Sequence, residues 1–182
     1  MDEEQAIQRL KQGDISGLEA LVALHQVRAL RTAYLITQDT ATAEEVVQEA
    51  FLRAYHSIQH YDPERPFAPW FLRSVAHAAV KTAQRDARHT AQPASGQTLE
   101  ELFVEQTDVE DQLESLEFQE KVRAALLTLP PRQRAVIVQR YFLEMSEKEM
   151  ASEMEAAPGT IKWLLHEARR RLRSLLSERT PE

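Results

Sequence analysis

Apolar residues recur at intervals of three and four positions along most of the chain, which is the spacing of amphipathic helices. In the first half, this spacing predicts helices over residues 3–11, 16–36, 43–58 and 69–88. Thr42 is expected to cap the third of them, because Glu45 follows three residues later as in a capping box. Pro63 and Pro66 exclude a regular helix between the third and the fourth, and they predict a loop that carries aromatic side chains.

The second half of the chain predicts a helix-turn-helix. Helices are expected over residues 116–129, 132–143, 146–154 and 158–176. Ser146 begins the third of these with Glu149 in the position of a capping box, and Pro158 suits the first turn of the fourth. One apolar stripe of the last helix consists of Ile161, Leu165, Ala168 and Leu172. Two short helices joined by a tight turn are the plan of the helix-turn-helix.

The face opposite that stripe is polar and mostly basic. In motifs of this kind the second helix enters the major groove, where flanking cations meet phosphates and central side chains meet base edges. The residues predicted to face duplex DNA are Thr160, Lys162, Trp163, His166, Glu167, Arg169, Arg170 and Arg173. An ordinary amphipathic helix with a solvated run of arginines is the alternative.

A second basic surface follows the helix predicted over residues 69–88. Its basic side chains recur at intervals of four or three positions and form one ridge, which consists of Arg73, His77, Lys81, Arg85 and Arg88. Like charges at this spacing repel by roughly 0.2 to 0.5 kcal/mol per pair, and an anionic partner would offset that repulsion. Cations beside aromatic rings suit single-stranded nucleic acid. The residues predicted to meet a melted strand are Tyr61, Arg65, Phe67, Trp70, Arg73, His77, Lys81 and Arg85. The alternative is a solvated ridge with Trp70 in the core.

The formal net charge of −7 conflicts with nucleic-acid binding until its distribution is considered. Residues 98–120 contain many acidic side chains but no lysine or arginine, and the rest of the chain is slightly basic. Helical periodicity is also lost over residues 90–115. We therefore predict an all-α protein of two small helical domains, residues 1–89 and 116–182, joined by an acidic flexible linker over 90–115. The second domain contains the helix-turn-helix.

Composition argues against several functional classes. The chain has no Cys, which excludes disulfides, cysteine-based zinc sites and a thiol nucleophile. Its histidines lack metal-ligand spacing and are interpreted as surface or interface residues, and it has no glycine-rich phosphate loop. We therefore expect no cofactor, no metal and no catalytic activity. The acidic N-terminus is no signal peptide and no apolar run approaches membrane-spanning length, so we expect a cytoplasmic protein without membrane insertion.

One apolar side chain stands among charges on the outer face of the helix predicted over residues 43–58. This face carries Glu45, Gln48, Glu49, Leu52 and Arg53. An exposed Leu52 is either part of a docking surface for another protein or a tolerated surface leucine.

Segments in both halves resemble the extracytoplasmic-function group of bacterial sigma factors, over residues 13–176. The segment AEEVVQEAFLRAY is similar to the helix that docks on the clamp coiled coil of RNA polymerase, which implies this role for the face around Leu52. PFAPWFLRSVAHAAVK is similar to the part that melts and reads the promoter element nearer the start, with an unstacked base held by the loop over 61–67. LPPRQRAVIVQRYFLEMSEKEMASEM and PGTIKWLLHEARRRLR are similar to the region that reads the upstream element as duplex.

The resemblance implies a promoter-specificity subunit that binds core RNA polymerase and promoter DNA, often with an anti-sigma factor as inhibitor. No dimer seam is evident, so a monomer is expected when the protein is free. A free-standing helix-turn-helix regulator is the alternative, and it predicts tight duplex binding without polymerase.

The sequence departs from the family pattern at several positions. Ala76 and His77 stand where an Arg-Asn pair is usual. Trp163 would touch a thymine methyl group or pack against a partner protein, and Glu167 would accept from a cytosine amino group. Glu155 stands where a glycine is common, which predicts a positive φ angle in the turn.

Overall fold

The computed structural model describes residues 1–89 and 112–177, with side chains over 1–86 and 120–177. Within these ranges it contains helices and turns but no β-strand, so the prediction of an all-α fold is confirmed. The α-helices are α1 (Glu3–Lys11), α2 (Ser16–Thr37), α3 (Thr40–Ser57), α4 (Phe67–His89), α5 (Gln112–Leu127), α6 (Pro131–Ile137), α7 (Glu147–Glu153) and α8 (Pro158–Ser177). A 3-10 turn, Ile58–His60, follows α3, and a π-helical turn, Val138–Phe142, follows α6.

Some helix boundaries differ from the predicted ones for local reasons. Asp39, not Thr42, caps α3, since its carboxylate accepts from the Thr42 backbone N–H at 2.8 Å. Hydrogen bonds from the Thr42 hydroxyl and backbone hold the pKa of Asp39 below its usual value. α4 begins at Phe67 because a proline is tolerated in the first helical turn, where Pro69 lies. α5 begins at Gln112, so the segment predicted as linker ends inside a helix.

The first half of the chain packs around α2, which α1, α3 and α4 all contact. An aromatic cluster fills its core: the rings of Phe67 and Phe71 stack with centroids 5.6 Å apart, and Phe51 lies 4.4 Å from Phe71. His25 lies 5.3 Å from Phe67 and is only 8% exposed, so its interpretation as a surface or interface residue is wrong. Burial lowers the pKa of His25, because desolvation disfavours the charged imidazole.

α1 approaches the start of α2 closely at Gly17. A Cβ at this position would lie 2.3 Å from the carbonyl oxygen of Ala6 and 2.7 Å from the backbone nitrogen of Leu10. The two backbones can pack this closely only because residue 17 has no side chain. The contact buries Ala6, Ile7 and Leu10 of α1.

The second half of the chain confirms the predicted helix-turn-helix. The Ser146 hydroxyl accepts from the Glu149 backbone N–H, and the Glu149 carboxylate accepts from the Ser146 backbone N–H at 2.8 Å, which completes a capping box at the start of α7. Glu155 in the turn has a φ of 48°, the positive angle that was predicted, and α8 then begins at Pro158. Met150 of α7 and Ile161 of α8 are fully buried, and α8 packs against both α7 and α6.

The two halves of the chain are joined by hydrogen bonds at the C-terminal end of α2. Arg134 of α6 is 4% exposed; its Nε donates to the Ile36 carbonyl in the last turn of α2 at 2.8 Å, and its Nη1 donates to the Leu129 carbonyl at 3.1 Å. In return, Gln38 at the end of α2 donates from Nε2 to the Leu127 carbonyl at the end of α5, at 2.8 Å. We call the Arg134–Ile36 and Gln38–Leu127 hydrogen bonds the interdomain latch.

Gly17→Ala is expected to lower the Tm of the full chain. The added methyl group would overlap backbone atoms of α1, and overpacking of this kind costs about 1 to 3 kcal/mol. Thermal unfolding followed by circular dichroism measures the effect. Gly159→Ala is the matched control, because nothing lies within 4 Å of a Cβ built there. A Gly17→Ala protein as stable as the wild type would contradict the close packing of α1.

Candidate polymerase and nucleic-acid interfaces

The outer face of α3 is as predicted. Its inner positions are buried against the core, and all its predicted polymerase-binding residues are exposed: Glu45, Gln48, Glu49, Leu52 and Arg53. Leu52 is 56% exposed, and Arg53 pairs with Glu49 at 3.8 Å one turn earlier. An exposed leucine framed by charges is able to supply the apolar centre of a polar-rimmed interface.

Two further apolar side chains are exposed on α2, Leu24 at 50% and Val27 at 44%. The sequence did not single them out, because apolar residues occur on every side of α2 and no polar stripe marks its outer face. Their spacing of three residues, which places both on one side of a helix, was the available signal.

The aromatic side chains of the loop before α4 lie mostly inside the protein. Tyr61 is 5% exposed and Phe67 is fully buried, and the Tyr61 hydroxyl donates to the Arg65 carbonyl. The loop is fixed to the end of α1, because Lys11 Nζ donates to the Tyr61 carbonyl at 2.9 Å. In this arrangement Tyr61 and Phe67 offer no ring face to an unstacked base. Two other residues near this loop were predicted to meet a melted strand, and both remain accessible. The side chain of Arg65 is 78% exposed, and Trp70 is half-buried.

The basic ridge of α4 divides into an open part and an occupied part. Lys81 and Arg85 are exposed, as predicted. Arg73 and His77 are contacted by α7: Arg73 Nη2 donates to Glu149 Oε1 at 2.5 Å, and His77 Nδ1 donates to the Glu153 carbonyl at 2.6 Å. The side chain of Arg88 lies outside the described part of the chain.

The outer face of α8 confirms the predicted division into stripe and face. Ile161, Leu165 and Ala168 are buried, and Leu172 packs partly against the core. The residues predicted to face duplex DNA divide into an exposed set, Lys162, Trp163, His166, Arg169, Arg170 and Arg173, and two half-buried residues, Thr160 and Glu167. The four cations of this exposed set make a surface suited to phosphates.

Three of these side chains already have partners. The Glu167 carboxylate accepts from Arg170 Nη2 at 2.7 Å, and this hydrogen bond lowers the pKa of Glu167. Arg169 Nε donates to the Tyr141 hydroxyl at 2.9 Å, and its guanidinium lies 5.8 Å from the centre of the Tyr141 ring. Tyr141 thus orients a predicted DNA contact, a role that its position in an apolar helix did not reveal.

Trp163 is 58% exposed at the edge of an open cleft of about 430 Å³, which Gln84 and Pro131 also line. This position is compatible with either role considered for it, a thymine contact or a partner protein. Over residues 1–89 and 112–177 no cluster of His, Asp and Glu has the arrangement of a metal site. No helix within the same ranges is long and apolar enough to cross a bilayer.

Comparison with known proteins identifies both halves of the chain. The family described as Sigma-70 region 2 matches residues 21–90, and the family described as Sigma-70, region 4 matches residues 119–172. The chain is 28% identical over 178 residues to the ECF RNA polymerase sigma factor SigW of Bacillus subtilis, covering 94% of this chain and 95% of that protein. It is 34% identical over 162 residues to the ECF RNA polymerase sigma factor SigL of Mycobacterium tuberculosis, covering 88% and 89%.

Two solved structures share the fold. The sigma factor RpoE in complex with the anti-sigma factor NepR, from Bartonella quintana, aligns with a TM-score of 0.61 at 21% identity and covers 89% of this chain and 98% of that one. CnrH in complex with the cytosolic domain of CnrY aligns with a TM-score of 0.58 at 21% identity, covering 98% and 99%. With region 2 in the first domain, region 4 in the second and relatives similar over nearly their whole length, this chain belongs to the extracytoplasmic-function group of the sigma-70 family.

Proposed function

We propose that this protein binds core RNA polymerase and directs it to specific promoters, using separate surfaces for polymerase, melted strand and duplex. The observation that carries the proposal is that one chain of this family exposes the apolar Leu52 on α3, cations on α4 and cations on α8. No catalytic role is proposed. The protein would contribute to initiation through the free energy of binding.

The outer face of α3 is the proposed polymerase contact. Leu52 is positioned to enter an apolar pocket, while the surrounding charges select the partner and its orientation. Because α3 is anchored by Val46, Val47, Ala50 and Phe51, this face is rigid before binding. Preorganisation of this kind lowers the entropic cost of association.

The ridge of α4 is the proposed contact with the melted strand. Lys81 and Arg85 would meet its phosphates, and the half-buried Trp70 would meet a base. Stacking on protein contributes about 1 to 3 kcal/mol per base, which would help offset strand opening. The outer face of α8 would hold the upstream element as duplex, with Lys162 and Arg173 on phosphates.

A protein inhibitor of the anti-sigma class is the further partner that we propose. Both structural neighbours were solved as complexes, one with an anti-sigma factor and one with the cytosolic domain of CnrY. A cytoplasmic location and a monomeric free state complete the proposal. The alternative, a free-standing regulator, is not favoured, because relatives named as polymerase sigma factors match the chain over nearly its whole length.

Leu52→Asp is expected to weaken binding to core RNA polymerase at least about tenfold, because the carboxylate would be desolvated in the contact. Co-purification of the full chain with core polymerase measures this. Ile15→Asp is the matched control, since Ile15 is 53% exposed and lies outside the α3 face. If both variants retain polymerase, the proposed docking face is wrong.

Charge reversal at the open end of the ridge, Lys81→Glu with Arg85→Glu, is expected to abolish promoter opening and to spare polymerase binding. Permanganate reactivity of unpaired thymines reports opening by the reconstituted holoenzyme. Lys121→Glu with Lys148→Glu makes the same change in net charge at exposed positions outside the ridge. Equal loss of opening in both pairs would show a general charge effect instead.

Glu167→Gln is expected to raise the affinity of the full chain for random-sequence duplex, because it frees Arg170 from its ion pair. The slope of log K against log salt should steepen by about 0.9, the value for one additional phosphate contact. Glu144→Gln, at an exposed position, is the control. Should Glu167 instead read a cytosine, its variant would lose affinity for promoter DNA and leave random duplex unchanged.

A further inference from the structure

The loop between the 3-10 turn and α4 is held by the end of α1. We call residues 61–66 the proline loop. We infer that α1 takes part in reading the melted strand, with Lys11 as the positioning residue that holds the proline loop, and through it Trp70, in place. This inference rests on the proposed role of Trp70 in meeting a base. It assigns base discrimination in part to a residue that lies outside the proposed contact surface.

Two hydrogen bonds join the last turn of α1 to the start of the proline loop. Lys11 Nζ donates to the Tyr61 carbonyl at 2.9 Å, and Gln59 Nε2 donates to the Lys11 carbonyl at 2.7 Å. The Lys11 ammonium also lies 5.8 Å from the centre of the Tyr61 ring. Because the two bonds connect the same two segments, they restrict both the distance and the orientation of the loop relative to α1.

α1 is a firm anchor for this loop, because it contacts α2 at both of its ends. Near the C-terminal end, Leu10 is 1% exposed, and its backbone nitrogen would lie 2.7 Å from a Cβ at Gly17. At the N-terminal end, Glu3 Oε2 lies 2.8 Å from Nε2 of the buried His25. Lys11 therefore connects the loop to the core of the first domain.

The proline loop is also closed on itself, so that holding its first residue holds the rest. The Tyr61 hydroxyl donates to the Arg65 carbonyl, and the Asp62 carboxylate accepts from the Glu64 backbone N–H at 3.0 Å. Burial raises the pKa of Tyr61, and the negative charges of Glu3 and Asp62 raise it further. The hydroxyl is therefore protonated at neutral pH and able to donate.

The Tyr61 ring connects the position of the loop to that of Trp70. The centroids of these two rings are 5.1 Å apart, and Phe67 lies 5.6 Å from Tyr61 and 5.4 Å from Trp70. Trp70 is the accessible member of this cluster, since Tyr61 and Phe67 are buried. If the loop were released from α1, the indole would lose the neighbour that fixes its orientation. Stacking on one particular base requires that orientation.

Release of the loop is expected to change base discrimination more than overall affinity. A strand can bind the cations of α4 through its phosphates whether or not the loop is in place, and phosphates carry no sequence information. The affinity for the preferred base, in contrast, falls with the fraction of molecules in which Trp70 is correctly positioned. The ratio of affinities between preferred and disfavoured bases should therefore decrease, while the lowest affinity stays the same.

The experiment measures base discrimination by the full chain in reconstituted holoenzyme. The probe is a library of random-sequence single-stranded oligonucleotides, and sequencing of the bound and unbound fractions gives the relative affinity for each base. Trp70→Ala identifies the position in the strand that Trp70 reads, because the base preference at that position is lost in this variant. Binding of each variant to core polymerase and its circular dichroism are measured alongside.

Lys11→Met is the first test variant, because methionine keeps an unbranched side chain and removes the donor. We expect the base preference at the position read by Trp70 to fall about threefold to tenfold, with polymerase binding unchanged. Lys11→Arg retains a donor and should retain most of the preference. Arg9→Met is the matched control, since Arg9 is an exposed cation of the same helix and pairs with Asp14.

Gln59→Ala is the second test variant, and it leaves the net charge unchanged. It removes the other hydrogen bond between α1 and the loop, so a reduced base preference in this variant cannot arise from the loss of a positive charge near the strand. We expect a reduction in the same range as for Lys11→Met. Gln8→Ala, at an exposed position of α1, is its control.

Reduced preference in both test variants, with an unchanged fold, is the expected result. The positioning role is overturned if Trp70→Ala loses the preference while both test variants keep it. It is also overturned if Lys11→Met weakens binding to all sequences equally, because Lys11 would then be a phosphate contact. A wild-type holoenzyme without any preference that depends on Trp70 would instead contradict the proposed contact between Trp70 and a base.

Discussion

The structure depends on how the carbonyl groups at the end of α2 are satisfied. α2 is the helix that α1, α3 and α4 all contact, and its last turn carries carbonyls without donors of their own. Arg134 supplies a donor and a positive charge at the negative end of the helix dipole. Burial lowers the pKa of Arg134 to about 10, so the guanidinium is still charged at neutral pH. The end of the first domain's central helix is therefore completed by a residue of the second.

The helices themselves could be predicted from the sequence, because the residues that specify a helix lie close together along the chain. The three-and-four spacing of apolar residues located every described helix, and the Ser146–Glu149 pair gave the start of α7. The predicted outer faces of α3 and α8 also match, since a helix with one buried stripe exposes the opposite side. The cap of α3 was assigned to Thr42 because Glu45 follows it at the spacing of a capping box. The extended backbone that makes Asp39 the cap is not specified by that spacing.

The contacts that divide the ridge could not be predicted in the same way. Arg73 and Glu149, like His77 and Glu153, are far apart in sequence and meet only through the packing of two domains. The burial of Tyr61 and Phe67 has the same origin. Prolines predicted a loop, and a loop was expected to be solvated, but this one folds its aromatic side chains onto the core. Packing between residues that are distant in sequence therefore determines which side chains of a correctly predicted helix face remain accessible.

The double use of Glu149 has a genetic consequence. Its carboxylate both caps α7 and holds Arg73, so a random substitution there alters the stability of the helix-turn-helix and the domain arrangement together. Only glutamine separates the two effects, because it keeps the capping geometry without the charge. The position is therefore pleiotropic, because one substitution there changes both the cap of α7 and the contact of α7 with α4.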